Sequence, residues 1–78
     1  YQVGRISVRG NRVTRTETIL QELSFQTGET FQRQKLRKSE LRLYRIGAFR
    51  LVQISEHVNE NAPFVRDIEV FVDERDTG

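Results

Sequence analysis

The stretch Leu43-Tyr44-Arg45-Ile46-Gly47-Ala48-Phe49-Arg50-Leu51-Val52-Gln53-Ile54-Ser55 holds a helix end, a stop and a strand, with no charged residue from Leu51 to Ser55. Gly47 is the stop. As the first residue beyond the helix it can take the left-handed conformation that side chains disfavour, which would bring Ala48 against Leu43 in a Schellman arrangement. After it, Val52, Ile54 and Val58 alternate with Gln53, Ser55 and His57, the period of a strand with one polar face. Working back, the helix is expected over about 32 to 46, with Gln32 at the cap position and Phe31 and Leu36 spaced as a hydrophobic staple. Leu36 and Leu43 share its buried stripe, flanked by Ser39 and Ile46 on one side and Tyr44 on the other. Lys35, Lys38, Arg42 and Arg45 fall opposite, and Leu41 projects toward that basic side. Ser39 is small where two helices would approach.

Further out, Ile6 and Val8 alternate with Arg5, Ser7 and Arg9, and Gly10-Asn11 ends this first strand with turn chemistry. Thr14 and Glu17 have capping-box spacing and open a helix whose apolar sector is Ile19, Leu20 and Leu23. Gly28 breaks it. Asn59 to Pro63 form a turn, and a third strand follows with Ile68, Val70 and Val72 inward and Asp67, Glu69 and Asp73 outward around the exception Phe71. The order is strand, helix, helix, strand, strand. If each element reverses direction, strand one runs parallel to strand three while strands two and three form a hairpin. The expected fold is therefore a two-layer α+β domain: a three-stranded mixed sheet of order 1-3-2 with two helices on one face. Arg5 and Arg9 are placed to meet Glu69 and Asp73 across the solvent face, and strand two, with residues 51 to 55, lies on an open edge.

Seventy-eight residues without cysteine, and with His57 as the one histidine, exclude disulfides, thiol chemistry and a His/Cys metal cluster. A core this small is marginal without such staples, which points to a domain working within a larger chain. The net charge is only +2, yet seven basic residues lie between Arg33 and Arg50 against Glu40 alone, and seven acids between Glu56 and Asp76 against Arg66 and Arg75. Such runs are usually solvated faces.

The series Ile6-x-Val8-x-Gly10-Asn11, Thr14 leading to Ile19-x-x-Glu22-Leu23, Gly28-Glu29-x-Phe31, Leu36, Leu43-Tyr44-x-x-Gly47-x-Phe49-x-x-Val52, Asp67-Ile68 and Val72-x-Glu74 closely resembles a POTRA domain, the polypeptide-transport-associated module. The resemblance spans essentially residues 1–78. Gly10, Asn11, Gly28, Gly47 and Phe49 are its structural markers; Gln32 departs from the Ser/Thr/Asp-like cap expected there. Asp73-Glu74-Arg75-Asp76-Thr77-Gly78 resembles the seam at which the last POTRA domain of BamA-type outer-membrane assembly factors gives way to the transmembrane β-barrel, making 75–78 the start of a linker. The resemblance implies a periplasmic, non-enzymatic scaffold tethered to the outer membrane through the rest of its chain. It would receive unfolded outer-membrane proteins, dock accessory lipoproteins, and neighbour sister POTRA domains and a C-terminal barrel. No cofactor is implied.

Other classes are weighed on the same residues. An acid/base pair of His57 with Glu56 fails because adjacent strand residues point to opposite faces, and the serines and threonines lack a base at recognisable spacing. One type of KH domain, an RNA-binding module, begins with the same element order. Its GxxG backbone clamp is missing from Ser24-Phe25-Gln26-Thr27-Gly28-Glu29-Thr30-Phe31, and no aromatics interleave with the basic residues as a stacking platform. A third possibility is a structural spacer between sister domains and barrel. For the scaffold, Leu51, Val52, Gln53, Ile54 and Ser55 carry no lysine, proline or other sequence guard of an edge strand and are the expected site of β-augmentation by a client. Leu41, Arg42 and Arg45 are expected to border the same groove as a docking surface for acidic partners.

Overall fold

The structure, a computed structural model, describes residues Tyr1 to Arg75, so all but the first residue of the expected linker lies outside the described residues. Its elements are β1 (Gln2–Arg9), α1 (Thr16–Glu22), α2 (Arg33–Arg45), β2 (Phe49–Asn59) and β3 (Ala62–Glu74). The sheet order is β1-β3-β2, with β1 parallel and β2 antiparallel to β3. The expected α+β architecture, its strand order and its helical layer are all present.

Pairing follows the alternation of the sequence. Val52 lies opposite Val72, Ile54 opposite Val70 and Glu56 opposite Ile68, while Ile6 and Val8 meet Ile68 and Val70 from the other side. Paired residues share a face, so one side of the sheet becomes an apolar floor. Onto it α1 lowers Ile19, the residue after it Leu23, and α2 Leu43, around Phe49, Ile68, Val70 and Val72. Ser39, fully buried, accepts the Ser24 amide at 2.9 Å and donates to the Lys35 carbonyl at 2.8 Å. A small polar residue thus lets the end of α1 approach α2 with its polar atoms satisfied.

Several expectations are corrected. Leu20 is exposed and Leu23 already lies past the seven-residue α1 in extended backbone, so the α1 stripe is narrower than its sequence sector. Thr14 forms no capping box: Arg15 holds the cap position without a side-chain bond, and the Thr14 amide goes to Glu74. Val58 is 60% exposed because β2 and β3 run on beyond the helices. Asp73 pairs with Arg50 rather than with β1, although Arg9 does reach Glu69 at 3.7 Å. Val3 and Phe25 are core residues that periodicity missed, since β1 begins before the alternating segment and Phe25 sits between the helices.

Candidate strand-docking edge

The two outer edges of the sheet are unequal. Along β1, the Val3 amide donates to the Glu29 carbonyl at 2.8 Å, the Gly28 amide to the Val3 carbonyl at 2.8 Å and the Phe31 amide to the Tyr1 carbonyl at 2.7 Å. The segment around Gly28 therefore covers the beginning of that edge. Among the described residues β2 pairs with β3 alone and forms the opposite edge.

The polarity of β2 follows from its contacts with α2. The Val52 amide donates to the Tyr44 hydroxyl at 2.9 Å, and that hydroxyl donates to the Val52 carbonyl at 3.3 Å. The Ile54 amide donates to Glu40 Oε1 at 3.2 Å. Along an antiparallel strand, alternate residues direct their backbone groups to the same side, so Val52, Ile54, Glu56 and Val58 face the open edge, whereas Leu51, Gln53, Ser55 and His57 bond to β3. Of the five residues expected at the edge, Val52 and Ile54 supply its backbone groups. Leu51, Gln53 and Ser55 contribute side chains on the outer sheet face. The guard that residues 51 to 55 lack in their own sequence is provided from α2, fourteen residues earlier in the chain for Glu40.

The expected docking surface resolves into two faces of α2. Leu41 is 56% exposed and lines a shallow cavity of about 630 Å3 with Arg33, Lys35, Arg37 and Lys38 on the outer side of the helix. Arg45 is exposed, and Arg42 is drawn to Glu22 of α1 at 3.7 Å. None of Leu41, Arg42 and Arg45 borders the β2 groove. That cleft, about 420 Å3, is lined instead by Arg33, Leu36, Arg37 and Glu40 facing Ile54 and Glu56.

The marker residues hold the frame. Gly47 has φ +80° and donates its amide to the Tyr44 carbonyl at 3.1 Å, closing α2 as expected. This turn delivers Phe49, 1% exposed, into the core. Gly10 has φ +88°, and a Cβ there would lie 2.0 Å from the Val72 carbonyl oxygen, so only glycine lets the end of β1 pass β3. Asn11 then donates from Nδ2 to the Thr14 carbonyl and to Thr16 Oγ1, at 2.9 and 3.1 Å.

Glu74 is the residue whose role sequence reasoning missed. Its carboxylate accepts the amides of Arg12 at 2.7 Å, Val13 at 3.0 Å and Thr14 at 2.7 Å. The Thr14 and Val13 amides hold its pKa down at about 2, against the opposing effect of burial. The partners are about sixty residues apart in sequence, so no local pattern announces them. The next residue, Arg75, donates its amide to the Ala48 carbonyl at 2.9 Å. The C-terminal end of β3 is thus pinned to both the turn after β1 and the turn after α2.

A mixed three-stranded sheet backed by two helices, with one edge partly covered by its own chain and the other formed by β2, places the chain among α+β modules built on an exposed strand. It belongs to the POTRA family, described as a surface antigen variable number repeat, whose pattern matches residues 1–75. The chain is similar to BamA from Haemophilus ducreyi lacking POTRA domains 1-3, at 29% identity and a TM-score of 0.89, over 97% of this chain and 14% of that one. It is also similar to POTRA3-5 of Haemophilus influenzae BamA, at 26% identity and 0.86, over 94% and 29% respectively. POTRA1-3 of Omp85 from Anabaena shares the fold at 24% identity and 0.87, over 97% and 35%. The chain therefore spans about a third or less of the length of these three structures. No curated protein sequence matches it. Among the described residues, no helix is long and apolar enough to cross a membrane.

Proposed function

We propose that this chain is a non-catalytic scaffold module in the assembly of outer-membrane β-barrel proteins, acting in the periplasm, and that the edge of β2 receives extended segments of unfolded clients. The observation that carries the reading is the row of outward backbone groups at Val52, Ile54, Glu56 and Val58, on the strand that ends the sheet of a POTRA-family chain. Backbone pairing there places little demand on client sequence, which suits many clients. The likeness to POTRA domains of BamA and Omp85 supports sister POTRA domains and a barrel as neighbours in the same protein. The tail Asp73 to Gly78 supports the barrel-proximal position, with 75–78 as linker. The exposed basic side of α2 around Leu41, Arg42 and Arg45 is the docking surface for an acidic accessory lipoprotein.

The test is a titration of the 15N-labelled chain with peptides from outer-membrane strands. Amide shifts concentrated on β2 between residues 52 and 58 are expected. Shifts confined to β1, or none at millimolar peptide, would leave the module a structural spacer. For the barrel-proximal position, the coding sequence past Gly78 should continue into alternating lipid-facing strands of about 9 to 11 residues.

A further inference from the structure

What already stands on the β2 edge divides it in two. At Val52, the Tyr44 hydroxyl both accepts from the amide and donates to the carbonyl, doing with one atom what a residue of a neighbouring strand does with two. At Ile54, the Glu40 carboxylate takes the place of a neighbouring carbonyl. Beyond Ile54 the arrangement changes. Arg33 of α2 meets Glu56 only at its carboxylate, at 3.1 Å, and Val58 lies 60% exposed where the hairpin has outrun the helices.

We infer that an extended partner strand enters at Glu56 to Val58 and reaches Val52 to Ile54 only by displacing the Tyr44 hydroxyl and the Glu40 carboxylate, so that α2 acts as a latch on the docking edge. The inference rests on the reading of β2 as a strand-docking site. Its physical basis is exchange: a strand arriving at Val52 and Ile54 replaces hydrogen bonds already made and gains little there, whereas at Glu56 and Val58 it adds new ones. The cleft beside the latch states what the partner carries. Leu36 and Ile54 form an apolar floor; Arg33 is held by Glu56, and Arg37, which makes no ion pair among the described residues, is the cation beside Glu40. An extended segment with an apolar side chain flanked by a carboxylate fits it, its backbone carbonyl taking the Ile54 amide that Glu40 releases and its carboxylate lying against Arg37.

Hydrogen exchange on the free 78-residue chain tests the latch without any partner. The Val52 and Ile54 amides should exchange about tenfold or more slowly than those of Glu56 and Val58. Tyr44→Phe should release Val52 alone and Glu40→Ala should release Ile54 alone, while protected Ile68 and Val70 amides report an intact fold. The same variants are then titrated with a seven-residue alternating apolar peptide carrying one glutamate, and with its lysine counterpart. Wild type should show shifts at 56 to 58 only, the double variant Tyr44→Phe with Glu40→Ala should extend them to 52 and bind about tenfold more tightly, and the glutamate peptide should bind better than the lysine one. Equal exchange at all four amides, or equal affinity of wild type and double variant, overturns the latch even where the peptide binds β2. Absence of β2 shifts in every variant overturns the docking edge itself, and the entry route with it.

Discussion

Glu74 shows how one side chain sets a condition on the fold. In the native state its carboxylate is held by the amides of Arg12, Val13 and Thr14, and its pKa stands at about 2 rather than the ordinary 4.5. A carboxyl whose folded pKa is depressed stabilises the fold above its unfolded pKa and loses that contribution as pH falls toward the folded one. The stabilisation from Glu74 is therefore complete near neutrality and disappears between about pH 4.5 and pH 2. Glu74→Gln should lower the urea midpoint at pH 7 and flatten the acid limb of stability against pH over that window; a variant limb as steep as wild type would show that other carboxyls control it. Gly10 makes a steric demand where Glu74 makes an electrostatic one. Both Gly10 and Gly47 have positive φ, but a Cβ at Gly47 meets open space and one at Gly10 meets the Val72 carbonyl oxygen. Gly47→Ala should cost about 1 kcal/mol, the price of the conformation alone. Gly10→Ala should cost distinctly more, because the β1–β3 pairing must shift as well, and urea midpoints for the pair decide the order.

Among the elements, α2 has three working faces. Leu43 and Ser39 pack inward, Glu40 and Tyr44 reach the β2 edge, and Leu41 and Arg45 look outward. The inward face and the C-terminal stop of α2 were legible in the sequence, since a buried stripe and a glycine stop are local patterns. The alternation of β2 and β3 was equally plain, and with the order of elements it yielded the sheet. The lateral face was not legible: Tyr44 reads as an ordinary flanking residue and Glu40 as the one acid of a basic run until the strand is placed beside them, and nothing local reports a side chain bonding to a backbone eight or more residues away. Glu74 escaped for the same reason at longer range. The separation of outer and lateral faces makes the outer one testable by itself. Reversing Lys38 and Arg45 to glutamate should change stability by no more than about 0.5 kcal/mol, as exposed charges do. Association with an acidic accessory lipoprotein at low salt should slow; an unchanged on-rate would remove this face as the docking surface.

At the scale of the whole molecule, the described residues extend 43 × 20 × 17 Å, with the β2–β3 hairpin longer than either helix. One strand thus serves two purposes along its length. Its odd-numbered residues from 51 to 57 hold it to β3, and its even-numbered ones from 52 to 58 face outward. Proline, which removes a backbone donor, separates the two purposes. Gln53→Pro deletes a donor from the β2–β3 ladder, opposite Phe71 and between the buried Val52 and the half-buried Ile54, so it should lower the urea midpoint sharply and unfold much of a domain this small. Val58→Pro removes an outward donor where the hairpin has left the helices and the side chain is already exposed. It should leave the amide spectrum of the core recognisable while abolishing the peptide-induced shifts at Glu56 and beyond. A folded Gln53→Pro would mean that the outward and inward sets are exchanged, and an unaltered peptide response in Val58→Pro would mean that a partner does not pair with this end of the strand. Measured together by urea titration and by peptide titration, the two variants separate what β2 does for its own fold from what it offers to another chain.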